Sequence, residues 1–145
     1  MSVELPFAPV DTVIRRNAGS LRVSAGAARE LARRIQEQGA RLAVEAAQRA
    51  TADGRKTLMA DDFDAPVVDT DVLELPVAPV DRIARLDIDD GYRVSMDARI
   101  ALAGILEEYA DDVAAAAAIL ARHADRRTIK AEDIQTYYEI EPYVE

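Results

Sequence analysis

Cysteine and tryptophan are absent from this chain, histidine occurs once, and aromatic residues make up only 5% of the 145 positions. Without cysteine there is no disulfide, no thiolate nucleophile and no zinc–thiolate centre, and the usage fits a reducing, cytoplasmic compartment. One histidine, no Gly-rich phosphate loop and no convergent carboxylate pair leave the side-chain combinations of catalysis unrepresented, so the expectation is a protein that is not an enzyme and holds no cofactor and no metal. The Asp87, Asp89, Asp90, Gly91 cluster is not followed by the Glu-terminated ligand pattern of a calcium loop, and reads as a solvated loop. No run approaches the roughly 18 apolar residues that cross a bilayer, and no basic-then-apolar segment opens the chain, so neither a membrane nor a small-molecule substrate is expected as a partner. Lysine is scarce as well: only Lys56 and Lys130 stand among 18 cations. The net charge of −9 is lopsided, since residues 1–70 carry 10 basic and 10 acidic residues and the remainder 8 and 17. An acidic, arginine-over-lysine composition of this kind suits a salt-rich cytoplasm.

What is present is a long helical stretch. From Arg93-Val94-Ser95 onward the chain runs to Ala124 with Gly104 as its one glycine and no proline. Ser95 is a natural N-cap and Asp97 suits the positive end of the helix dipole. Ala98, Leu102, Leu106, Tyr109, Val113, Ala117, Leu120 and Ala124 recur three or four residues apart, which paints one apolar stripe. The run Val113 to Ala121 is apolar on every side, which predicts a helix centre buried all round.

The same stretch occurs earlier. A shift of 71 lays Arg22-Val23-Ser24 on Arg93-Val94-Ser95 and Arg55-Lys56-Thr57 on Arg126-Arg127-Thr128, and a shift of 70 lays Glu4-Leu5-Pro6-Phe7-Ala8-Pro9 on Glu74-Leu75-Pro76-Val77-Ala78-Pro79. The chain is a tandem duplication of a unit of roughly 70 residues. Each unit reads as a short helix, an extended bridge, a long helix (about Ala25 to Ala52, and Ser95 to Ala124), a charged loop and a third helix, six helices in all. Pro66 shortens the first third helix, expected to start at Ala60. The division is 1–66 for the first unit, 67–75 for a linker and 76–145 for the second. One long helix flanked by two small ones leaves an apolar face uncovered, so the two units are expected to clasp each other.

Glu74-Leu75-Pro76-Val77-Ala78-Pro79, Asp97-Ala98-Arg99-Ile100, Leu106-Glu107-Glu108, Leu120-Ala121-Arg122-His123-Ala124 and Arg127-Thr128-Ile129-Lys130-Ala131-Glu132-Asp133-Ile134 resemble an archaeal histone. The first unit is similar over its Leu-Pro-x-Ala-Pro start, Arg22-Val23-Ser24 and Gly54-Arg55-Lys56-Thr57. The resemblance implies an all-α chain of two histone folds forming an intramolecular pseudo-dimer, a tandem doublet of haloarchaeal type. It implies double-stranded DNA as partner, bound without sequence preference and bent or wrapped in the nucleoid. Arg22 and Arg93 would be the loop arginines that enter the minor groove, oriented by Thr128 and Thr57. Lys56 and Arg127 would take neighbouring phosphates, and Arg15, Arg82 and Arg85 stand at the first-helix basic positions. Arg55 with Asp62, and Arg126 with Asp133, match the family's structural salt bridges. Ile119, Leu120, His123 and Asp133 match its end-to-end joint, which implies self-association through the second unit; Thr136 stands there where a larger apolar residue is usual. The acidic second half fits a different reading, a histone-fold interaction module that regulates transcription with weak or partner-dependent DNA contact.

Overall fold

The computed structural model describes residues 2–144. The elements follow the duplication: α1 (Phe7–Arg16), β1 (Arg22–Val23), α2 (Ala25–Ala52) and β2 (Thr57–Leu58), then α3 (Val77–Ala84), β3 (Arg93–Val94), α4 (Met96–His123), β4 (Thr128–Ile129) and α5 (Ala131–Ile140). Both long helices start on a serine cap, the Ser24 hydroxyl accepting from the Ala27 amide and the Ser95 hydroxyl from the Ala98 amide, each at 3.1 Å. They stop where the chain turns left-handed. Gly54 (φ 74°) takes that conformation freely, and its counterpart Asp125 (φ 59°) belongs to the few residue types that tolerate it.

The two units clasp. β1 pairs in parallel with β4, and β2 with β3, so each unit's two strands are completed by the other unit. Helix α2 packs against α3, α4 and α5, and α1 packs against α4. Gly39 marks the closest approach: a Cβ there would sit 2.7 Å from the Ile83 Cγ2 and 3.0 Å from a Leu106 methyl. Ala110 is its counterpart at a shift of 71 and is fully buried.

A pair of buried polar side chains anchors each unit's leading segment. Gln36 accepts the Glu4 amide at 2.7 Å and donates to the Ser2 carbonyl at 3.0 Å. Glu107, at the matching place on α4, accepts the Glu74 and Leu75 amides at 2.6 and 2.9 Å. Leu5 and Leu75 are thereby held in the core.

Three expectations need correction. The first unit has no third α-helix; Ala60–Phe63 form one 3-10 turn, closed by Asp64 in the left-handed region (φ 53°), and the chain has five α-helices among the described residues. Pro66 is the cause, because it disfavours helical backbone at the residue before it and offers no amide. The chain beyond it is not a free tether, since the Val68 methyls lie 3.6 and 3.9 Å from where Gly104 would carry a Cβ. Third, the Val113 to Ala121 run is not buried all round: Ala115 is exposed and Ile119 is 63% exposed. The close crossing lies earlier in α4, at Leu106, so this part of the helix keeps an outward face.

Candidate nucleic-acid interface

The two parallel bridges build the two ends of the candidate surface. At one, Arg22 is opposite Thr128, with the Arg22 amide donating to the Arg127 carbonyl at 2.8 Å and the Ser24 amide to the Ile129 carbonyl at 3.0 Å. At the other, Arg93 is opposite Thr57, with the Arg93 amide on the Lys56 carbonyl at 2.8 Å and the Ser95 amide on the Leu58 carbonyl at 3.0 Å. The side chains of Arg22, Arg93 and Arg127 are exposed and form no ion pair among the described residues. Each end thus presents a cation from one unit beside a cation from the other.

Buried carboxylates pin these loops. Arg55 grips Asp62 with two hydrogen bonds of 2.8 and 2.9 Å and also donates to the Thr57 carbonyl at 2.9 Å, while Asp62 accepts the Met59 amide at 2.7 Å. Arg126 grips Asp133 with both nitrogens, one at 2.6 Å, and Asp133 accepts the Lys130 amide at 2.8 Å. The Arg55 guanidinium holds the Asp62 carboxyl below the usual carboxylate range, against the opposing pull of burial. A depressed carboxyl contributes stability above its unfolded pKa and loses it as pH falls through the folded value. Stability is therefore expected to drop on acidification below about pH 4, and Asp62→Asn should flatten that part of an acid titration followed by circular dichroism.

Residues 3–67 and again 73–136 match the model of a family described as histone-like transcription factor (CBF/NF-Y) and archaeal histone. The chain belongs to this family. It carries the histone fold twice, as a doublet. Among curated relatives it is similar to the archaeal histone HAN1 of Thermococcus zilligii, 53% identical over 62 residues that make up 43% of this chain and 90% of that protein. Probable archaeal histone 3 of Methanocaldococcus jannaschii is 45% identical over 62 residues, again 43% of this chain and 90% of the relative. The crystal structure of the histone from Methanopyrus kandleri superposes with a TM-score of 0.66 over 90% of each chain; at 24% identity this likeness concerns the fold alone. The family is a structural, DNA-binding one rather than an enzyme family. No helix among the described residues is long and apolar enough to cross a membrane.

On the histone doublet the first-helix arginines are less free than those of the loops. Arg15 is paired with Asp11 at 2.6 Å, Arg85 with Asp81 at 3.1 Å and Arg82 with Glu4 at 3.0 Å. Pro6 and Pro76 at the caps of α1 and α3 supply no side-chain acceptor, so the first-turn amides of both helices stay open at the positive dipole end. Lys56 lies over the Tyr92 ring at 4.7 Å, and the Tyr92 hydroxyl is hydrogen-bonded to that of Thr51.

At the end-to-end face, Ile119 and His123 are exposed and Leu120 is half-buried. Asp133 does not join them on the surface: its side chain is 2% exposed, beneath Arg126. The first unit has Gln48, Arg49 and Ala52 at the matching positions, and Arg49 donates to the Asp62 carbonyl at 2.5 Å.

Sequence reasoning missed the Gln36 and Glu107 anchors, although a polar residue at the same repeat position inside two apolar stripes was a readable signal. It also missed Arg16, which crosses to Asp111 at 2.7 Å and Glu107 at 3.0 Å. Burial raises the Asp111 carboxyl, but hydrogen bonds from Arg16 and Asn17 outweigh it and bring the group below its ordinary value.

Proposed function

We propose that this doublet binds double-stranded DNA without sequence preference, bending or wrapping it as a chromosome-associated protein of a salt-rich cytoplasm. The observation that carries this reading is the pair of parallel bridges, which set Arg22 beside Arg127 and Arg93 beside Lys56 at the two ends of one edge. Thr128 and Thr57 lie in register with the two arginines, and the open amides of α1 and α3 stand at the helix ends that favour phosphate. Such contacts read backbone charge and groove shape rather than base identity. Arg15, Arg82 and Arg85 contribute at the first helices once their carboxylate partners yield.

A titration of random-sequence duplex across a wide potassium range, by gel shift and nuclease protection, tests it. With about six phosphate contacts, a tenfold rise in salt is expected to lower affinity on the order of 10⁵-fold. Arg22→Ala and Arg93→Ala should each weaken binding to unrelated sequences alike, and protection growing in regular steps marks wrapping. Unchanged affinity in both variants sinks the assignment. The alternative, an interaction module that regulates transcription with weak or partner-dependent contact, is favoured by the carboxylates beside Arg15, Arg82 and Arg85. It predicts no protection by the chain alone.

For partners, the doublet pairs with a second copy through its second unit. Ile119, Leu120 and His123 offer an apolar face with one imidazole, whereas Gln48 and Arg49 make the first unit's face polar. A contact of one face with itself around a twofold axis closes and stops growing. Leu120→Glu and His123→Ala are expected to sediment as single chains in high salt where the parent forms a dimer; open-ended polymers of the parent place the joint elsewhere.

A further inference from the structure

We propose that the two ends of the DNA edge are unequal, the β1–β4 end gripping duplex phosphates strongly and the β2–β3 end weakly, so that the doublet engages DNA with a polarity. This deepens the DNA-binding reading above and rests on it. The unequal chemistry lies in loops that the duplication makes directly comparable.

Leading into β1 the chain reads Asn17-Ala18-Gly19-Ser20-Leu21-Arg22, with no carboxylate; leading into β3 it reads Asp87-Ile88-Asp89-Asp90-Gly91-Tyr92-Arg93, with three. All three aspartates are exposed. Asp89 accepts the Gly91 amide at 3.0 Å, and neither it nor Asp87 nor Asp90 is paired with a cation among the described residues. The loops that follow the long helices repeat the contrast. Taking residues 17–22 with 124–133, the β1–β4 end has four cations (Arg22, Arg126, Arg127, Lys130) against three carboxylates. Residues 87–93 with 53–62 give the β2–β3 end three cations (Arg55, Lys56, Arg93) against six. Of those, Asp53 and Asp62 are taken up by Arg55, which leaves four facing solvent without a cation.

The cations differ in freedom too. Arg22 and Arg127 border one open concavity with Ser20 and Leu21. At the other end Lys56 rests on the Tyr92 ring, and Arg85 is drawn to Asp81 and, at 3.5 Å, to the Tyr92 carbonyl. A phosphate arriving at Arg93 meets uncompensated carboxylates within a Debye length of about 8–10 Å at 0.10–0.15 M salt, while one arriving at Arg22 meets a net positive loop pair. Electrostatic attraction and repulsion of this kind are what set affinity for a polyanion.

The test uses the full chain and a short random-sequence duplex followed by fluorescence anisotropy at several potassium concentrations. Arg22→Ala should weaken binding about tenfold and lower the salt slope by about 0.9, one phosphate contact, while Arg93→Ala should cost under about threefold. The triple variant D87N/D89N/D90N keeps the side-chain oxygen that accepts the Gly91 amide; it should bind tighter than the parent, and in that background Arg93→Ala should cost as much as Arg22→Ala does. Neutralising three carboxylates outside both loops, E45Q/E108Q/E139Q, controls for net charge and should tighten binding less. Equal losses for Arg22→Ala and Arg93→Ala in the parent, or a triple variant no tighter than the control, overturn the polarity while leaving DNA binding intact. A parent chain that binds no duplex at any salt overturns both readings.

Discussion

Residues 1–70 alone are expected to show no cooperative thermal melt as a monomer. The first unit's strands have partners only in the second: β1 pairs with β4 and β2 with β3. Its long helix buries Leu31, Ile35 and a row of alanines in a core to which Leu102, Leu106, Ile83 and Ile134 of the second unit belong. Split from them, α2 exposes that stripe, and a 3-10 turn in place of a third α-helix has too little apolar surface to cover it. Isolated helices draw most of their stability from such packing, so local propensity does not rescue the fragment. A melt of residues 1–70 that is sharp and independent of concentration would refute the intramolecular clasp; a concentration-dependent one would instead show two fragments substituting for the missing half.

Gly39→Leu is expected to abolish native packing, and Gly39→Ala to lower stability by a net amount of about 1–3 kcal/mol. On an exposed helix the alanine change would gain about 1 kcal/mol from propensity. Here the new Cβ meets Ile83 Cγ2 at 2.7 Å and Leu106 at 3.0 Å, inside a core with no slack. The Ile83 contact is a branch methyl fixed next to its own backbone, so relief requires α2 and α3 to separate. The duplication supplies the control. At the matching places the chain has Ala110 with Val13 instead of Gly39 with Ile83, one carbon added on one side and one removed on the other. Ile83→Val should therefore return part of the loss when combined with Gly39→Ala, a coupling that a double-mutant cycle in urea measures. A stabilised Gly39→Ala, or losses that simply add, would mean the crossing is looser than these distances.

By itself the sequence determined the duplication, the two long helices with their serine caps and the all-α class. These are periodic or strictly local features: a 3.6-residue stripe is printed in residue order, and a cap needs only three neighbouring residues. The joining of Arg22 to the 127–129 segment and of Arg93 to the 56–58 segment was legible through the family likeness, because a repeated loop at constant spacing forces each unit to meet the other in the same way. Tertiary structure decided the rest. Whether residues 60–69 made a helix depended on Pro66 and on the α4 surface that Val68 covers, a contact between segments far apart in sequence. That Ile119 faces outward while Ala117 and Ala118 are buried depended on where α4 is crossed. The state of each candidate DNA contact was also settled in three dimensions. Arg15 and Arg85 carry the same charge as Arg22 and Arg127 in the sequence, but the helical turn sets a carboxylate beside the first pair and none beside the second. Glu4 reaches Arg82 only because the clasp brings the start of one unit against the first helix of the other. Charge is counted along a chain, whereas the field a phosphate meets is summed through space.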